Sequence, residues 1–320
     1  MNDAPVSRLK HYPVTFFAIV MGLLGLTLAL HSAGRFIPVA AAASGVMLWV
    51  SLVAFGLIAL VYFAKLLRYP GAVIEEWHHP VKLAFFPTMT ISLLLLSVAL
   101  LESRPEIAGW VWLIGVAGQG ILTIAVVSGW ISHRSFEVGH LSPAWFIPAV
   151  GNVIVPIAGA RMGFIEISWL FFAGGMMFWG ILLTMVINRL VFHDPMPGRL
   201  FPTMVILIAP PSVAFVAYVG MNGVIDGFAR TLIYSAYIFA ALVVVQLPKL
   251  ARLPFALSWW ALSFPLAALS MASFLFGRLE GSGPHRDIGL WVLVILVIVV
   301  VALTLRTALA IWRGEICRPE

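Results

Sequence analysis

Charge is what this sequence has least of. Asp, Glu, Lys and Arg make up 10% of its 320 residues, against 62% hydrophobic ones. A soluble domain carries about 25% charged residues, because its surface must face water. Too few ionic groups are present to cover such a surface, and a soluble globular fold is excluded. Cysteine is nearly absent: Cys317 stands alone, which rules out an intramolecular disulfide and a thiolate metal centre. No low-complexity segment, hydrophilic tail or loop long enough to fold by itself interrupts the chain, so residues 1–320 read as a single domain.

What the chain has instead is long apolar runs. About 20 mainly apolar residues span a bilayer as a helix, whereas membrane strands show only short alternation. The runs here are continuous and read as ten transmembrane helices over 13–30, 39–64, 83–101, 107–131, 144–160, 167–187, 202–220, 225–247, 255–276 and 288–309. The first run follows Arg8 and Lys10, as a signal peptide would. It is long for a signal core and no small-x-small cleavage site follows, so it reads as a retained helix.

Cations divide unevenly between the two ends of these helices. The side bearing both termini holds 13 Lys and Arg, and the other holds 6 of the 19. By the positive-inside rule both termini face the cytoplasm of a bacterial-type inner membrane. The acids split 7 to 6, so the net charge of +6 belongs to topology. No basic run or RNA-type motif supports a nucleic-acid partner; the partners implied are the bilayer and small anions.

Prolines disclose a repeat. Pro87, Pro148, Pro210 and Pro265 fall in odd-numbered spans at steps of 61, 62 and 55 residues, while even-numbered spans carry none in their interiors. One step earlier falls near Val20 and Gly22. A period of about sixty residues is two helices, so five helical hairpins give the ten spans, all-α, in a quasi-fivefold arrangement around a central pore. Interior proline removes a backbone hydrogen bond and kinks a helix. In a bilayer the freed carbonyl must be satisfied by neighbouring helices or a cavity, which places the odd helices inside and the even ones against lipid.

Ionisable residues are missing from the span centres; the polar inventory there is Gln119, Asn152, Asn188 and scattered Ser and Thr. That argues against a proton-coupled pump with a buried carboxylate. It also argues against a metal site, a cofactor or an enzyme, since no catalytic or ligating cluster forms. His78 and His79 are adjacent and do not share a helix face. At the start of each inner helix stands a cation: Lys10, Lys82, Arg134, Arg199 and Arg252. With five helix N-termini they would form an anion-attracting cytoplasmic vestibule. Ordinary positive-inside anchoring explains them equally well, and the sequence leaves both open.

Five stretches carry a resemblance: 79–87 (HPVKLAFFP), 146–152 (FIPAVGN), 188–195 (NRLVFHDP), 207–211 (LIAPP) and 258–265 (SWWALSFP). They resemble the tellurite-resistance/dicarboxylate transporter family, which includes TehA-like proteins and the plant slow anion channels. The resemblance runs from about His11 to Ile311. It implies ten helices around a pore in each subunit of a homotrimer, anion passage, and a plugging phenylalanine in the ninth helix, here Phe264. Pseudo-symmetry would set Ile19, Phe86, Ile147 and Ala209 at the level of Phe264, as an apolar constriction. Phe274, near the other end of the same helix, reads as packing.

The function expected is a passive anion channel or permease for small inorganic or organic anions. The competing reading is an ion-coupled secondary transporter exporting dicarboxylate, sulfite or tellurite-related species. The charge asymmetry makes a direct prediction: reporters fused at Glu320 and after Arg278 should report opposite sides of the membrane. Same-side signals would overturn the ten-span count or its orientation.

Overall fold

In bilayer hydrocarbon, backbone N–H and C=O groups must pair within their own segment, and long apolar sequence therefore folds as helix. A computed structural model describes residues 7–132 and 136–318, and among them helix is the only regular structure. Ten helical stretches are numbered α1 to α10: Val14–Ala33, Pro38–Arg68, Lys82–Leu100, Pro105–Ser132, Pro143–Gly159, Ile165–Phe192, Phe201–Asn222, Gly227–Leu250, Leu257–Leu279 and Gly283–Trp312. Among the described residues, nine of these are long and apolar enough to cross a membrane, and α5 is shorter. Arg134 lies outside the described residues.

Burial alternates along the chain. In α1, α3, α7 and α9, 72–83% of the most apolar stretch is buried, against 17–28% in α2, α4, α6, α8 and α10. In α5 only Ile147 and Ile157 are even half-exposed. Each odd helix touches the next, from α1 through α3, α5 and α7 to α9, and α9 touches α1. Each even helix packs on the odd helix preceding it. The even helices turn large apolar side chains outward, such as Trp49, Trp110, Leu170 and Trp291, and that surface suits lipid.

Local signals set the ends. Pro38, Pro105 and Pro284 occupy the first turns of α2, α4 and α10, where no N–H is needed. Asp226 caps α8, its carboxylate accepting from Ala229 N–H at 2.9 Å. Gly223, at φ +75°, ends α7 in the left-handed region that glycine adopts freely. Outer helices run longer than expected; α8 continues to Leu250 and holds Pro248 inside it, so even helices are not free of proline.

Two cations expected in loops are buried instead. Lys65, in the last turn of α2, is 1% exposed and pairs with Glu76 at 2.8 Å. Glu76 comes from a short helix, Pro70–His78, that the sequence reading left as loop. The Tyr62 hydroxyl donates to Glu76 at 3.1 Å and Val14 N–H donates at 3.4 Å, while Lys65 Nζ donates to the Tyr12 carbonyl at 2.8 Å. The pair thus caps the start of α1 and ties it to the end of α2. Arg189 is likewise buried in α6, donating to the carbonyls of Val138 and Gly139 at 2.7 and 3.1 Å.

Removing one partner of a buried ion pair strands the other charge and costs about 3–5 kcal/mol, whereas replacing both with apolar groups is often neutral. Lys65→Met should therefore lower the thermal unfolding midpoint of detergent-solubilised protein sharply. The double variant Lys65→Met/Glu76→Leu should recover most of the loss. A single variant as stable as the parent would show that the pair does not hold this corner together.

Candidate functional site

Each inner helix changes type part-way. α3 begins as a 3-10 turn at Lys82–Phe85 and becomes α-helix at Thr88–Leu100, with Pro87 as the capping residue. α7 is 3-10 over Phe201–Ile208 and α-helical from Ala209, with Pro210 in its first turn. α9 is 3-10 over Leu257–Leu262 and α-helical from Ser263, two residues before Pro265. α5 changes type three times, from 3-10 at Pro143–Trp145 to α, back to 3-10 at Gly151–Ile154 and to α again, with Pro148 lying in Phe146–Val150 and Pro156 in Val155–Gly159. The prolines therefore stand in first turns of α-segments, where the missing N–H breaks no intrahelical bond. This corrects the expectation that each lies inside a continuous helix.

Carbonyls left over at the junctions are satisfied by side chains. Thr88 donates to the Phe85 carbonyl, Ser212 to Ile208 at 2.7 Å and Ser263 to Trp260 at 2.6 Å. At α5 the outer helix α4 helps: Thr123 and Gln119 donate to the Pro148 carbonyl at 2.8 and 3.3 Å. Thr90 donates to Gln119, and Asn152 accepts from Thr123 at 3.1 Å. Gln119 and Asn152 thus belong to a network that repairs broken backbone, whereas Asn188 is exposed on α6.

An apolar cavity of about 60 Å³ lies at the level of these junctions. All five inner helices line it, including Ala18 and Met21 of α1, Phe85 of α3, Ile147 of α5, Ala209 and Pro210 of α7, and Phe264 and Pro265 of α9. Of the residues expected at one level, Ile147, Ala209 and Phe264 are in the lining; Ile19 and Phe86 are not. Ala18 and Met21 flank the place of Ile19, and Phe85 replaces Phe86, whose ring packs edge-on against Trp77 at 5.0 Å. Gly22 lets α9 approach α1: a Cβ there would strike the Ser263 hydroxyl. At Gly25 a Cβ would stand 2.9 Å from Ala267 Cβ and 3.4 Å from the Phe264 ring. These glycines serve the close packing of α1 on α9.

Later residues of the same inner helices line a second, larger chamber of about 670 Å³. Its wall is polar at one end, with His31, Arg35, Glu102, Arg161 and Arg278, and it includes Phe274. Glu102 stands 3.2 Å from His31, 3.2 Å from Arg161 and 3.7 Å from Arg35. Burial disfavours its ionised form, but His31, Arg161 and Arg35 outweigh that and hold the carboxyl below the usual carboxylate range. Sequence reasoning missed this cluster because its members come from four separate helix ends. The cations at the opposite end remain apart from both cavities: Lys10, Arg199 and Arg252 are exposed, and Lys82 is half-buried at the start of α3.

The sequence has relatives among known proteins. The model of the SLAC1 family, described as voltage-dependent anion channel, matches residues 11–308. The chain belongs to this family. An uncharacterised transporter of Methanocaldococcus jannaschii is 24% identical, covering 98% of this chain and 99% of its own length. The tellurite resistance protein TehA homolog of Haemophilus influenzae is 29% identical over 82% of this chain and 81% of its own. The S-type anion channel SLAH3 of Arabidopsis thaliana is 25% identical over 96% of this chain, which spans 49% of that protein. The TehA-like and slow-anion-channel resemblance read from the motifs is therefore correct. Two of these relatives are named as a transporter and an anion channel, and this family member is a multi-pass membrane protein.

Proposed function

We propose that this protein is a passive anion channel or permease, conducting small inorganic or organic anions along the axis enclosed by α1, α3, α5, α7 and α9. The observation that carries this reading is one set of five helices lining an apolar cavity at one level and an arginine-bearing chamber at another. Family membership supports it. On this reading α5 is the tenth crossing, the hairpins form a quasi-fivefold ring in one domain, and both termini are cytoplasmic in a bacterial-type inner membrane. Three copies assemble as a homotrimer with a pore in each. No reaction is catalysed and no cofactor is used. An ion-coupled transporter would need a titrating group at the narrow cavity, and none lines it; the titrating His31 and Glu102 stand in the wide chamber.

Phe264 is the plug in this proposal. Its ring is buried in the cavity lining, and the neighbours Ala261, Ala267 and Ala268 are small, so the ring stands out from its own turn of α9, one turn beyond the buried Trp260. Ions cannot shed water in an apolar constriction at acceptable cost, and an apolar lining therefore blocks them. Pro87, Pro148, Pro210 and Pro265 mark the level of the constriction, with Ile147 and Ala209 beside the ring. Lys10, Lys82, Arg134, Arg199 and Arg252 form the cytoplasmic vestibule of the same proposal.

Single-channel or liposome flux recordings test the plug. Phe264→Ala should raise basal anion conductance at least about tenfold, the scale of removing roughly 1.4 kcal/mol from a barrier. Phe264→Leu should raise it less. Phe215→Ala, a buried inner-helix ring outside the cavity lining, should change it little. Unchanged conductance in folded Phe264→Ala protein sinks the plug.

The vestibule has its own signature in ionic strength. Neutralising Lys82, Arg199 and Arg252 together should reduce flux from the cytoplasmic side more at 10 mM than at 1 M salt, where the screening length shrinks from about 30 to about 3 Å. A loss independent of salt would identify these residues as membrane anchors.

A further inference from the structure

The larger chamber holds more positive charge than its packing requires. Arg35, Arg161 and Arg278 face one carboxylate, Glu102, which leaves an excess of two positive charges with His31 neutral. The side chains of Arg35, Arg161, His31 and Glu102 are 44–49% exposed, and ion pairs so exposed contribute only about 0–1 kcal/mol each. Stability does not explain gathering them. Arg278 lines the same chamber under the field of Arg35 and Arg161, and among the described residues it has no ion pair. The nearest acid in sequence, Glu280, is engaged by Arg230.

Chemistry already present in the chamber identifies a ligand. Arg161 donates to Glu102 at 3.2 Å, so the cradle is occupied by a carboxylate of the chain itself. A guanidinium presents a planar fork that fits carboxylates and other oxyanions, and it suits them better than a spherical halide. Glu102 sits in the short loop between α3 and α4, with its side chain 44% exposed.

We propose that this chamber is an oxyanion-binding site, held in the resting state by Glu102 as a tethered competitor. An arriving carboxylate or comparable oxyanion binds Arg278 first. It then displaces Glu102 from Arg161 and Arg35 and occupies the cradle. The site loads the far end of the conduction path, and so the inference rests on the channel reading for its role, though not for its binding.

Binding by purified protein in detergent, followed by calorimetry with acetate, sulfate and chloride, tests the site without requiring transport. Acetate and sulfate should bind more tightly than chloride. Glu102→Gln removes the competitor and should tighten acetate and sulfate about tenfold, the scale of one charge-assisted hydrogen bond. Arg278→Gln and Arg161→Gln should each weaken both by a similar factor. Arg104→Gln, which removes a cation of the same side outside the chamber, should leave affinity unchanged. Wild-type affinity in Arg278→Gln and Arg161→Gln overturns the site. Unchanged or weaker affinity in Glu102→Gln overturns the competitor. Intact binding without flux in liposomes, in the unplugged Phe264→Ala protein as in the parent, would sink the channel reading and leave the site standing.

Discussion

Every feature of this protein answers to one constraint: a peptide group in hydrocarbon must find its hydrogen bond inside the protein. Straight helices meet it alone, and α2, α4, α6, α8 and α10 do so while facing outward. A helix that changes from 3-10 to α cannot, because carbonyls at the junction lose their partners. Such helices have to sit where side chains can supply donors. That is where α3, α5, α7 and α9 lie, and Thr88, Thr123, Ser212 and Ser263 are the donors. Inner and outer helices are thus sorted by backbone chemistry as well as by hydrophobicity, whose ranges overlap between them.

The same constraint explains why the narrow cavity is apolar. Hydroxyls at the junctions are already committed to backbone carbonyls, and Gln119 and Asn152 point their hydrogen-bonding groups into the α3–α4–α5 network. The groups that face the centre are mostly apolar, among them Met21, Phe85, Ile147, Ala209, Trp260 and Phe264. Charge is held instead at the ends of the helices, where water can reach it, as in the His31, Arg35, Glu102, Arg161 and Arg278 chamber. An anion following this axis would meet attraction before it meets an apolar barrier.

Much of this was legible in sequence, and the failures have physical reasons. The proline period exposed the inner helices because it acts through local backbone chemistry, repeated hairpin by hairpin. The facing residues were harder. Taking the residue before each proline assumes equal rotation in every repeat, but the 3-10 lead-ins differ in length: Lys82–Phe85, Phe201–Ile208 and Leu257–Leu262. A 3-10 turn holds about 3.0 residues against 3.6 in an α-helix. Unequal lead-ins rotate the junctions differently, and Phe85 lines the cavity where Phe86 was expected. Lys65 and Glu76 were misplaced for another reason: their pairing requires the helix Pro70–His78 to fold back on α2, and no periodic signal announces that contact.

Phe264 also illustrates how packing leaves one side chain free to matter. The α1–α9 seam is tight at Gly22 and Gly25, where added Cβ atoms would meet Ser263 and Ala267. Sliding α9 against α1 would disturb that seam along its length. Turning one ring about its side-chain torsions disturbs far less, because it leaves the backbone of both helices in place. A tight seam of this kind favours rotation of the ring over movement of the helix. On the proposed reading, opening is a side-chain event within a ring of helices that stay in place, and the barrier an anion meets is set by where one aromatic ring rests.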